Sequence, residues 1–122
     1  MSGTIIIGKA AREKYHADSL LENEIFPMLK KDDPSSIRKA ILSFKEIINT
    51  DPVISKQCHN LGHRIGHEAF EMFGFSQAIS ESADDICAGG YTHGILESYF
   101  LSFPELSNHP ESACSGMIES KK

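Results

Sequence analysis

His59, His63 and His67 recur every four residues, and Gly62 and Gly66 recur at the same interval beside them. Four residues make slightly more than one turn of an α-helix, so each set forms a stripe along a helix face. Ile54, Cys58, Leu61, Ile65, Ala69 and Met72 form an apolar stripe roughly opposite the histidines. Asn60, Arg64, Glu68 and Glu71 fall on the remaining flank, the one expected to face water. Glycine costs about 1 kcal/mol in a helix interior relative to alanine. A solvated stripe of histidines needs no such notches. The glycine pair therefore predicts close approach of a second backbone. The helix is then packed on two sides, and its imidazoles border an interior.

The rest of the chain also reads as helices. The first spans about Lys9 to Lys30, with apolar positions at Tyr15, Leu20, Leu21, Ile25, Met28 and Leu29, and Pro27 should kink or end it. Asp33 can cap a second helix with Pro34 at its first position. Ile37, Ala40, Ile41, Phe44, Ile47 and Ile48 then follow at helical spacing, up to about Asn49-Thr50. Asp51-Pro52 repeats the device and opens the histidine helix, which should stop at Gly74. A shorter helix from about Ser76 to Asp84 and a longer one from about Gly90 to Phe103 complete the reading, with a turn at Asn108-His109-Pro110 and a helical start near Glu111. No segment alternates with a period of two. The expected fold is all-α, a compact bundle or short helical-hairpin array of four to six helices. Cys58, Cys87 and Cys114 lie at intervals compatible with stacked hairpins. A chain of 122 residues fits a single domain, 1–122. The ending Ile118 to Lys122 carries no helix stop, as expected of a piece of a longer chain.

Charge and hydropathy narrow the partners. The net charge of -5 argues against a broad nucleic-acid surface, which is built from Lys and Arg. No apolar run approaches the ~18 residues of a membrane-spanning helix. The longest early run, Ile5 to Ile7, is too short for a signal-peptide core. The composition is that of a soluble globular protein. A protein partner is compatible with the sequence but not identified by it.

The segment Cys87 to Gly94 is the second glycine-rich stretch, and it carries His93. His93 and Glu97 are four residues apart and share a helix face. Two glycine-notched helices meeting face to face would build a polar centre from His59, His63, His67, His93 and Glu97. Cys58 and Cys87 would sit at its margins. Imidazoles at i and i+4 can bind one metal ion, zinc or copper foremost. His63, His67 and His93 with Glu97 would fill a zinc site, whereas Glu97 holding a ligand histidine would leave a position open for catalysis. His59 with His63 is an equally allowed pair. The competing readings are a metal-dependent hydrolytic enzyme using the same centre, and a metal-free structural or interaction module braced by a Cys58–Cys87 disulfide, with its histidines satisfied internally. His16 and His109 stand alone and are read as surface residues. His-Glu-x-x-His and Cys-x-x-Cys are both absent, which removes the commonest zinc protease, zinc ribbon and thioredoxin-like signatures.

Three cysteines cannot all pair within the chain. A Cys58–Cys87 disulfide would close a loop of about 30 residues and imply an oxidising compartment. As thiol ligands the same two residues would imply the reverse and favour zinc or copper(I). As a core residue, Cys58 fits its apolar stripe. The pattern Cys58-His59-x-x-x-His63-x-x-Gly66-His67, followed by Cys87-x-x-Gly90-x-x-His93-Gly94-x-x-Glu97, resembles a loosely defined and mostly uncharacterised group of Cys/His-rich helical proteins. The resemblance covers about Cys58 to Phe100. It implies a functional Cys/His centre in a chain outside the cytoplasm, and a further Cys/His-Gly segment beyond this sequence. It implies no specific activity.

Overall fold

Asp51 ends one helix and starts the next. Its Oδ1 accepts from the backbone N–H groups of Val53 and Ile54 at 3.0 and 3.2 Å, with Pro52 in the first helical turn. The computed structural model describes residues 8–82 and 86–103. Among them run five α-helices: α1 (Lys9–Leu20), α2 (Ser36–Thr50), α3 (Pro52–Lys56), α4 (Cys58–Ser80) and α5 (Gly90–Ser102). No strand occurs among the described residues, and the all-α expectation holds. No helix among them is long and apolar enough to cross a membrane. Cys114, His109 and the expected turn and helical start near them lie outside the described residues, as do Asp84 and the end of the short helix expected there.

The first expected helix is split. α1 stops at Leu20 and passes into a π turn, Leu21–Ile25, and a 3₁₀ turn, Phe26–Met28, that contains Pro27. Proline offers no N–H to the preceding turn, so the chain leaves the α pattern ahead of it. Leu20, Leu21, Ile25 and Leu29 are buried, but Tyr15 is 76% exposed, contrary to its expected place on the apolar face. Ala17 is buried on α1 instead. In α2, Ile37, Ala40, Ile41 and Phe44 are buried as expected. That helix begins at Ser36, later than the sequence suggested, because Asp33 accepts from the backbone and hydroxyl of Ser35 rather than capping a helix at Pro34.

The histidine helix is also divided. Gln57 leaves the helical region at φ -104° and ψ 6°, which separates α3 from α4. Its side-chain amide donates to the carbonyls of Val53 and, across to α1, Glu13 at 3.1 and 3.3 Å. α3 is thereby docked on α1, while α4 starts afresh at Cys58. Arg64 reaches from α4 to Asp18 of α1 and is not fully solvated. Gly74, at φ 82° and ψ 174°, breaks α4 where a stop was expected. Ala78 and Ile79 beyond it return to the core, and the buried Tyr91 hydroxyl of α5 donates to the Ala78 carbonyl at 2.6 Å.

Candidate metal centre

The four glycines decide how α4 and α5 meet. A β-carbon at Gly62 would lie 3.1 Å from the Tyr91 backbone nitrogen, and one at Gly66 would run into the Tyr91 carbonyl oxygen. From the other side, a β-carbon at Gly90 would strike the His59 carbonyl oxygen, and one at Gly94 the His63 carbonyl oxygen. Both sets of contacts advance along both helices together, so the helices run in the same sense with their backbones touching. The notched approach expected from the sequence is therefore present. The registry follows from it. With Gly90 at the level of His59 and Gly94 at that of His63, His93 falls among the first two histidines of α4. Glu97, one turn on, falls between His63 and His67.

That placement sorts the expected ligands. His59, His63 and His93 each offer one ring nitrogen such that all three lie within 4.8 Å of one another. Their ring centroids are 4.9, 5.3 and 5.6 Å apart, close to an equilateral triangle. His67 and Glu97, expected in the same centre, lie outside this group. Glu97 instead bridges neighbouring turns of α4: its carboxylate oxygens stand 3.6 Å from His63 Nδ1 and 3.5 Å from His67 Nε2. His16 of α1 pairs with Asp51 at 2.7 Å and is not in the group.

Metal–imidazole bonds of about 2.0–2.1 Å at tetrahedral angles set the nitrogens roughly 3.3 Å apart. Three nitrogens within 4.8 Å of one another would close by up to about 1.5 Å to reach that spacing. One hydrogen bond orients a ring from outside the group, and one carboxylate stands near a second ring. His59 Nδ1 lies 2.7 Å from the Cys87 carbonyl oxygen. A carbonyl only accepts, so Nδ1 carries the proton and Nε2 presents its lone pair. Glu97 stands 3.6 Å from His63 Nδ1, an ion-pair separation too long for a hydrogen bond, at the place where a carboxylate accompanies a metal-ligating histidine. His63 is held below the ordinary histidine pKa, chiefly by burial, with the imidazoles of His59, His93 and His67 adding to it against the pull of Glu97. The neutral ring is the form that binds metal.

The cysteines are joined. Cys58, at the start of α4, and Cys87, just before α5, form a disulfide with Cα atoms 5.6 Å apart. So bonded they supply no thiolate, and of the sequence's readings the thiol-ligand one fails for these two residues. The cavity of about 630 Å³ flanked by α1 and α4, lined by Asp18, Gln57, Asn60 and Arg64 among others, shares no residue with the histidine group. Sequence reasoning missed the role of the Cys87 carbonyl, since backbone atoms leave no mark in a residue pattern. No family model, curated protein or solved structure matches the chain.

Proposed function

We propose that this chain is a metal-binding helical domain that holds a zinc or copper(II) ion through His59, His63 and His93. The observation that carries the reading is the convergence of three imidazole nitrogens from two helices whose glycines let them touch. Imidazole nitrogens suit both ions. The Cys87 carbonyl holds the His59 ring, and Glu97 is the outer partner available to His63. Elemental analysis of the gently purified protein tests it. About one ion per chain is expected, lost when His63→Gln and His93→Gln are combined. A metal-free protein that also fails to take up added zinc or copper would leave the disulfide-braced structural module as the better reading.

A hydrolytic role is the second reading, and one observation favours it. Three imidazoles leave a fourth coordination position for water, the arrangement of catalytic zinc sites. Chelator-sensitive cleavage of an activated ester, absent from the double histidine variant, would support it. The disulfide fits an oxidising compartment, and we read the chain as working outside the reducing cytoplasm. Trapping thiols with an alkylating agent in intact cells tests this: modified Cys58 and Cys87 would count against it.

A further inference from the structure

Cys87, Ala88 and Gly89 are consecutive residues in the left-handed region, at φ 57°, 57° and 82°. Glycine is at ease there, whereas a β-carbon makes the conformation unfavourable. Something must hold Cys87 and Ala88 in place. Within the turn, the Gly90 N–H donates to the Ile86 and Cys87 carbonyls at 3.2 and 3.3 Å. Two further links run to adjacent residues of α4. The Cys87 sulfur is bonded to Cys58, and the Cys87 carbonyl receives the Nδ1–H of His59 at 2.7 Å. Once the sulfur link is cut, only hydrogen bonds oppose relaxation of the backbone at 87 and 88 to the right-handed side. Its carbonyl then turns away from His59. The ring loses the acceptor that fixed its proton on Nδ1, and is no longer held beside His63 and His93.

Resting on the metal-binding reading above, we propose that the Cys58–Cys87 disulfide is a redox control on the three-histidine centre. Intact, it keeps the Cys87 carbonyl on His59 and the ion bound; reduced, it releases His59 and the ion is held more weakly. The reductant is a dithiol. Its thiolate attacks one sulfur, the S–S bond breaks, and the mixed disulfide resolves as the reductant closes into its own disulfide. Two electrons and two protons pass to Cys58 and Cys87, which become thiols. Both cysteines are only partly buried, so exchange can reach them.

The test is zinc affinity, measured on the full chain by competition with a chromogenic chelator. The oxidised wild type is compared with Cys58→Ser/Cys87→Ser, which breaks the link and removes the thiols as alternative ligands. Losing an outer partner of a ligand histidine weakens metal binding by about 10–100-fold, and a loss in that range is expected. Adding Ala88→Gly to the serine pair should recover part of it, because glycine accepts the left-handed turn without the bridge. A second series keeps the disulfide and does not depend on the serine pair folding. Ala88→Val should bind more weakly than wild type, since a β-branched residue resists φ 57°, and Ala88→Gly at least as tightly. Nitrogen-15 spectra of the metal-free protein should show His59 as the Nδ1–H tautomer when oxidised and as a tautomer mixture in the serine pair. Tight zinc binding that needs His63 and His93 but is the same in the serine pair and in Ala88→Val would overturn the redox control alone. Equal binding by wild type and His63→Gln/His93→Gln would overturn the three-histidine reading, and the control with it.

Discussion

Gly94 of α5 lies against the His63 carbonyl of α4 so closely that a β-carbon at 94 would overlap the oxygen. Gly66 meets the Tyr91 carbonyl in the same way from the opposite helix. On helix propensity alone, Gly94→Ala should stabilise by about 1 kcal/mol. The contact reverses the sign. Backbone cannot swing aside as a side chain can, so the helices must separate, and overpacking of this kind costs about 1–3 kcal/mol. Gly94→Ala and Gly66→Ala should therefore lower the urea midpoint. Gly8→Ala, with open space around it, should change stability by less than about 0.5 kcal/mol. Because the notches also set the ring positions, the two damaging variants should weaken zinc binding as well. A Gly94→Ala protein as stable as wild type would show that the helices do not touch there.

His59 and His67 are both one turn from His63 on α4, yet only His59 converges with His93. Removing a ligand should therefore differ sharply from removing its look-alike. His59→Gln is expected to weaken zinc binding far more than His67→Gln, which should stay within a few-fold of wild type. Glu97→Gln is expected to fall between them, about 10–100-fold weaker, if its carboxylate near His63 Nδ1 acts as that ring's outer partner without binding the ion. Chelator competition on the three variants checks the order. A loss in His67→Gln as deep as that in His59→Gln would move the ligand set one turn along the helix.

The one-turn ambiguity also marks where the sequence stopped being legible. Spacing by four identified the histidine face, and Gly62, Gly66, Gly90 and Gly94 identified the two helices that meet. Neither feature determines how far one helix slides along the other. That slide places His93 beside His59 or beside His67, and it is settled by backbone contacts. Asp51-Pro52 and Gly74 were readable because capping and positive φ belong to particular residue types. The break at Gln57 was not, since no glycine or proline marks it and a contact to Glu13 of α1 sustains it. Nor was the turn at Cys87-Ala88, where nothing local favours a left-handed backbone.

Acid should loosen the metal-free fold through His63. Its folded pKa lies below the ordinary value of 6.5, with burial the main cause, while the unfolded chain keeps the ordinary value. As pH falls past about 6.5, the unfolded state takes up a proton that the folded state resists. The unfolded state then binds more protons, so stability is lost on acidification and regained as pH rises. The loss levels off once pH is below the folded pKa and both states carry the proton. Urea midpoints between about pH 7.5 and 5.5 should decline for wild type and decline less for His63→Gln. Zinc binding should weaken in the same direction, because protons compete for the same ring nitrogens. Parallel pH profiles for wild type and His63→Gln would show that His63 is not the residue responsible.

The disulfide should contribute to stability as well as to the site. It joins residues 29 apart in sequence, and closing a loop of that length restricts the unfolded chain by about 3–4 kcal/mol in the entropy model. Against this stands the left-handed backbone it helps to hold at Cys87 and Ala88, each position costing about 1–3 kcal/mol. The bridge is thus expected to stabilise by less than its loop length implies. Cys58→Ser/Cys87→Ser should lose clearly less than 3–4 kcal/mol in urea, because the strain relaxes when the bridge is gone. Adding Ala88→Gly while the disulfide is intact should raise stability above wild type, and by more than it does in the serine pair. If the serine pair lost the full loop-closure value, and Ala88→Gly had the same effect in both backgrounds, the left-handed turn would not depend on the bridge.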